Sequence, residues 1–102
     1  MRAKNGILKG ELKVKKGKLL KCMLTLENKK IREIKFTGDF FMYPEEKIEE
    51  LENTLRGRDI HEETIHHAVD TFFLKDITTF GASKEDFFNV VMLAIKTIKT
   101  TS

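Results

Sequence analysis

The stretch "LKCMLTLENKKIREIKFTGDFFMYPEEKIEEL", Leu20 to Leu51, changes its hydrophobic period once, just after Gly38. Before the change, Leu20, Cys22, Leu24 and Leu26 alternate with Lys21, Met23, Thr25 and Glu27. That period of two marks a strand with one buried face. Glu27-Asn28-Lys29-Lys30 reads as a turn, and Ile34 and Phe36 then alternate with Glu33, Lys35 and Thr37 in a following strand. From Pro44 onward the apolar residues are Ile48, Leu51 and Leu55, spaced three and four apart as on one stripe of a helix. Proline suits the first helical turn, and Glu45 and Glu46 suit its positive end.

The same reading extends outward in both directions. Leu12 and Val14 alternate with Glu11 and Lys13, so a strand precedes the turn Lys15-Lys16-Gly17-Lys18. Short turns between consecutive strands make an antiparallel meander. Arg56-Gly57-Arg58 ends the first helix. A second helix is predicted over Glu62 to Phe73, with Ile65, Val69 and Phe72 inward. The chain turns near Gly81, and Ser83-Lys84-Glu85-Asp86 has the form of a capping box with Asp in place of the usual Glu or Gln. The third helix shows Phe87, Phe88, Val91, Ile95 and Ile98 on a broad apolar face. The expected fold is α+β: a three-stranded antiparallel sheet followed by about three helices packed on one face. Residues 1–102 form one domain in this reading, without repeat, linker or low-complexity tract.

Composition narrows the class of protein. An apolar share of 40%, a charged share of 34% and a single proline describe a folded domain rather than a disordered one. Nineteen basic against sixteen acidic residues leave a net charge of +3. Much of the basic excess lies early, from Lys4 to Arg32. It reads either as a surface for an anion or as solvated strand faces and turns. No stretch approaches the ~20 apolar residues of a membrane span. No apolar segment of the secretory kind follows Met1-Arg2, and the expected compartment is the cytoplasm. The absence of glutamine and tryptophan beside abundant Lys, Glu and Ile leans toward a heat-adapted source.

Little of the sequence carries chemistry of its own. His61-Glu62-Glu63-Thr64-Ile65-His66 resembles a zinc-protease helix but spaces its histidines by five. Five residues turn the second imidazole about 140° away around a helix, so no metal is expected. Cys22, the single cysteine, sits on the apolar side of its strand and reads as a small core residue. There is no Gly-rich phosphate loop and no nucleophile elbow. The glutamates at 45, 46, 49, 50 and 52 read as the solvated face of the first helix. No exposed strand face carries paired aromatics for base stacking, so nucleic acid is not an expected partner.

Gly38-Asp39-Phe40-Phe41 is the unexplained junction. Glycine allows a sharp exit from the strand, and Asp39 can accept backbone N–H bonds there. Phe40 and Phe41 cannot both face one core if the strand runs through them, whereas a bend would bury both.

Taken in order, three segments resemble the accessory, C-terminal domain of lipoate–protein ligases. "KVKKGKL", Lys13 to Leu19, is similar to that family's Lys-Val-Pro-Gly-Gly-Lys-Leu turn. "FTGDFFMYPEE", Phe36 to Glu46, is similar to its Ile-Thr-Gly-Asp-Phe-Phe segment leading into a Pro-Glu-Glu helix. "FGASKEDFFNVV", Phe80 to Val91, is similar to its Gly-Val-Ser-Pro-Glu-Asp-Phe helix start. Lys13, Val14, Gly17, Lys18 and Leu19 coincide with the family's turn, while Lys15 and Lys16 stand where it often has Pro and Gly.

The resemblance implies a small non-catalytic subunit that binds no cofactor alone. Its expected partner is a separate large catalytic subunit, and the complex's active site takes ATP, Mg and lipoate. Lipoyl-adenylate made there would supply lysines of lipoyl-carrier domains. Lys13, Gly17 and Lys18 become candidates for contact with the nucleotide or lipoyl-adenylate, the alternative for Lys18 being a solvated turn lysine. Asp39, Phe40 and Phe41 become candidates for the partner interface, with one ring of the pair presented outward. The competing class is a small basic nucleic-acid-binding or scaffold protein.

Overall fold

The computed structural model of the chain describes residues 7–14 and 18–97. Its elements run β1 (Leu8–Lys13), β2 (Leu19–Glu27), β3 (Lys30–Gly38), β4 (Phe41–Tyr43), α1 (Lys47–Leu55), α2 (Glu62–Phe72), β5 (Thr78–Phe80) and α3 (Lys84–Lys96). β1, β2 and β3 form an antiparallel sheet in that order, as the alternating pattern predicts. Ile98 and the turn residues Lys15, Lys16 and Gly17 lie outside the described residues.

Leu20, Cys22, Leu24, Ile34 and Phe36 face inward and are buried. α3 crosses β1 and β2, α1 covers β3, and α2 packs on both helices rather than on the strands. The crossing of α3 over β1 needs a glycine. A Cβ at Gly10 would come within 2.5 Å of the Val90 carbonyl oxygen and 2.8 Å of the Ala94 nitrogen. Phe87, Val90, Val91 and Ala94 of α3 and Ile65, Val69 and Phe72 of α2 complete the core. The β2–β3 turn places Asn28 and Lys29 at φ 56° and 63°, the left-handed pair a two-residue hairpin requires.

The register shifts between Thr25 and Leu26, where β3 carries one extra residue. This bulge turns Ile31 inward as well as Ile34, so β3 contributes a buried residue that strict alternation does not assign to it.

The helices match the expectation except at the start of α1. α2 and α3 lie where the apolar spacing puts them, and the capping box forms. The Ser83 amide donates to Asp86 Oδ2 at 2.8 Å, and the Asp86 amide to Ser83 Oγ at 3.3 Å. α1 starts at Lys47, not at Pro44, because residues 44–46 make a turn in which the Pro44 carbonyl accepts the Lys47 N–H at 3.0 Å. Gly57, at φ 84°, ends that segment, and Arg58 Nε donates to the Thr54 carbonyl.

Glu52 corrects the solvated-face reading of α1. It is only 4% exposed, and its carboxylate accepts the Phe36 N–H at 3.0 Å. β3 is an edge strand whose outward amide would otherwise be buried without an acceptor. The carboxylate replaces the missing neighbouring strand at that point. Beside the main sheet, β4 and β5 pair antiparallel as a second, two-stranded ribbon that the short segments did not announce.

Candidate functional site

The three segments that stand far apart in sequence meet at one corner of the molecule. Lys18 precedes β2, and its carbonyl accepts the Val14 N–H at 2.9 Å, which closes that end of the β1–β2 hairpin. Leu19, next to it, is held at two points by Asp39. The Asp39 N–H donates to the Leu19 carbonyl at 2.8 Å, and the Leu19 N–H donates to Asp39 Oδ2 at 3.3 Å. Asp39 therefore does accept a backbone N–H, and it fixes the residue after Lys18.

The two glycines let these strands approach. Gly38 has φ 137°, and a Cβ there would fall 2.2 Å from the Leu19 carbonyl oxygen. Gly81 has φ 90°, and a Cβ there would fall 2.5 Å from the Asp39 carbonyl oxygen. The Gly-Asp of the junction thus serves backbone contact between segments 18–19, 38–41 and 80–81.

The two phenylalanines part company. Phe40 is half-buried, its ring edge-on to Phe87 at 5.2 Å between centroids. Phe41 is 66% exposed and stands opposite Phe80 in the ribbon register. Tyr43 shares that face two residues on, with its ring 6.4 Å from Phe80. Met42, pointing the other way, is buried. Phe41, Tyr43 and Phe80 make a displayed aromatic face. Tyr43 and Phe80 lay outside the sequence-based candidates, because nothing local tells that residues 41–43 and 78–80 pair. The order of the family-like segments was the available signal.

Two clefts flank the corner, and Lys18 lines both. One, of about 420 Å³, is walled by Gly38, Asp39, Phe40, Phe41, Phe80 and Gly81. The other, of about 710 Å³, runs along Val14, Thr79 and the α3 start, including Ser83, Glu85 and Asp86. Lys18 is exposed, is the one cation lining either cleft and makes no ion pair among the described residues. Its ammonium is available to an anion. Lys13 lies elsewhere, on the outer face of the sheet opposite Leu19, and lines neither cleft. Gly17 is outside the described residues.

The remaining titratable groups offer no second site. Cys22 is fully buried, and burial, helped by the nearby Glu52 charge, pushes its thiol up to about 12. His66 presents its ring to Phe88 at 5.0 Å. Among the described residues no cluster of His, Cys, Asp or Glu is placed to hold a metal ion. No described helix is long and apolar enough to cross a membrane.

Residues 8–91 match the family profile of the bacterial lipoate protein ligase C-terminus. The chain belongs to that family. It is 39% identical over 79 residues to lipoate-protein ligase A subunit 2 of Thermoplasma acidophilum, which covers 78% of this chain and 81% of the relative. It also superposes, with a TM-score of 0.75 and 35% identity, on a solved chain from an archaeal lipoylation system of the same organism. That structure comprises a bi-partite lipoate protein ligase and its E2 lipoyl domain, and the match covers 83% of this chain and 93% of the other. The ligase C-terminal domain fold therefore frames the Lys18 corner.

Proposed function

We propose that this chain is the non-catalytic small subunit of a two-chain lipoate–protein ligase and completes the adenylation site of a separate large subunit. The observation that carries this reading is the likeness to subunit 2 of an archaeal ligase across most of both chains. The same polypeptide acts as a single accessory domain, in the cytoplasm where its carrier substrates are made.

The chain's residues fit a supporting role toward ATP, Mg and lipoate rather than a complete site. Lys18 offers one cation to a phosphate, while Glu85 and Asp86 across the cleft would repel a polyphosphate brought in alone. The main nucleotide contacts therefore belong to the large subunit. When bound, ATP supplies the adenylyl group that activates the lipoate carboxyl. Lys18 would hold its ammonium toward the negative charge on the α-phosphate oxygens, a charge-assisted contact strengthened as closure excludes water. Asp39 fixes Leu19 from both sides and so aims the lysine beside it. Phe41, with Tyr43 and Phe80, seats the corner on the large subunit, as exposed aromatics anchor interfaces.

Lys18→Ala in the assembled complex tests the role. One charge-assisted contact is worth about 1.5–3 kcal/mol, so lipoate-dependent ATP–pyrophosphate exchange should fall at least tenfold. Lys18→Arg should restore part of it. Exchange unchanged in Lys18→Ala would remove Lys18 from the site.

A further inference from the structure

The open face of the main sheet carries a charge arrangement that adenylation does not use. Register places Lys9, Met23 and Lys35 side by side across the three strands, and Glu11, Lys21 and Thr37 in the next row. Lys13 and Leu19 form the row nearest the Lys18 corner. No described element packs on this side, since α1 and α3 both cover the other.

The acids on the face are already engaged. Glu11 lies 4.0 Å from Lys21, Glu27 lies 3.9 Å from Arg32, and Glu33 is drawn to Arg56 of the α1 end at 3.1 Å. Lys9, Lys13 and Lys35 have no ion partner among the described residues. Acidic residues gather instead on the helical side, at Glu62 and Glu63 and at Glu45, Glu46 and Glu49, the last three lining a shallow pocket that Lys35 borders at the β3 edge. A chain of net charge +3 is thus polarised, with its basic side flat and open. Met23, 38% exposed between two lysines, adds a pliable apolar centre.

We infer that this face docks an acidic surface of the carrier domain that receives the lipoyl group, an inference that rests on the ligase reading above. Permanent interfaces are depleted in lysine, whereas unpaired lysines on an open face steer a transient, oppositely charged substrate. The aromatic ribbon therefore suits the resident subunit, and the lysine face suits the substrate protein. A nucleic acid fits less well, because three glutamates, Glu11, Glu27 and Glu33, interrupt the face and no ring on it can stack a base. From the Lys9–Met23–Lys35 row to the Lys13 row is four residues, or about 13 Å along the strands. A domain seated on the sheet accordingly brings its rim to the corner that holds Lys18.

The test uses the two-chain ligase with Lys9→Glu and Lys35→Glu together in the small subunit, and the organism's own E2 lipoyl domain as acceptor. Pyrophosphate exchange, which needs no acceptor, should be unchanged and so report that the complex is intact. The KM for the lipoyl domain should rise at least tenfold, and less in Lys9→Gln with Lys35→Gln. Added salt should raise the wild-type KM and affect the charge-reversed enzyme little. An unchanged KM would overturn the docking surface while leaving the ligase reading in place. Exchange lost together with transfer would also overturn it, by assigning the face to the large subunit. Loss of duplex DNA binding with the KM unmoved would overturn it in favour of nucleic acid. Failure of the ligase reading itself is separate: wild-type exchange would then not depend on this chain.

Discussion

At Gly38 the backbone conformation and the space available both exclude a side chain, since φ is 137° and the Leu19 carbonyl oxygen lies 2.2 Å from where a Cβ would stand. Gly38→Ala should cost about 2 kcal/mol or more and lower the melting temperature by roughly 10 °C. A melting curve within a few degrees of wild type would contradict the contact. Cys22 makes a pH prediction whose sign follows from its raised thiol. The unfolded thiol ionises near 9.0 and the folded one near 12, so the stability is complete below about pH 9. It is lost progressively as pH rises toward 12. Urea midpoints measured from pH 8 to 11 should fall more steeply for wild type than for Cys22→Ala, and parallel slopes would refute the assignment. The native thiol should also react with disulfide reagents only as fast as the protein opens.

Among the elements, those with strong periodicity were legible in the sequence and those defined by distant pairing were not. Leu20 to Leu26 and the α2 stripe needed only local spacing. β4 and β5 are three residues each and exist because Phe41 meets Phe80 across the fold, a contact no local pattern encodes. Glu52 was misassigned by its charge: it stands four residues after Ile48 and three before Leu55, on the flank of the apolar stripe, where the exposed edge of β3 gives the carboxylate a donor. Glu52→Ala should strand the Phe36 amide and cost about 1–3 kcal/mol, with faster hydrogen exchange at that amide. Glu52→Gln, which keeps an acceptor, should lose less. The ribbon makes a paired forecast. Phe40→Ala removes a ring packed on Phe87 and should destabilise the chain by about 2–4 kcal/mol. Phe41→Ala should leave the melting temperature nearly unchanged and weaken binding to the large subunit at least tenfold, the size of an aromatic hot spot. Equal loss of folding in the two variants would refute the division of the pair.

For the whole molecule, the candidate site was legible in part. The sequence pointed to Lys18, Asp39 and Phe41, and the fold assembles them with Phe80 and Gly81 at one corner. It also separates Lys13 from that corner, because alternation along β1 turns this lysine to the outer face. The division of surfaces follows from the architecture. The helices bury one side of the sheet, the ribbon displays aromatics beside Lys18, and the lysines are left on the open side. Lys18, the one cation lining the two described clefts, beside that aromatic face, supports the proposal that the chain completes another protein's site. The most direct measurement is lipoate-dependent ATP–pyrophosphate exchange by the large subunit, with and without this chain. Exchange that appears only when both are present is the predicted result. Full exchange by the large subunit alone, unchanged on adding the chain, would contradict it.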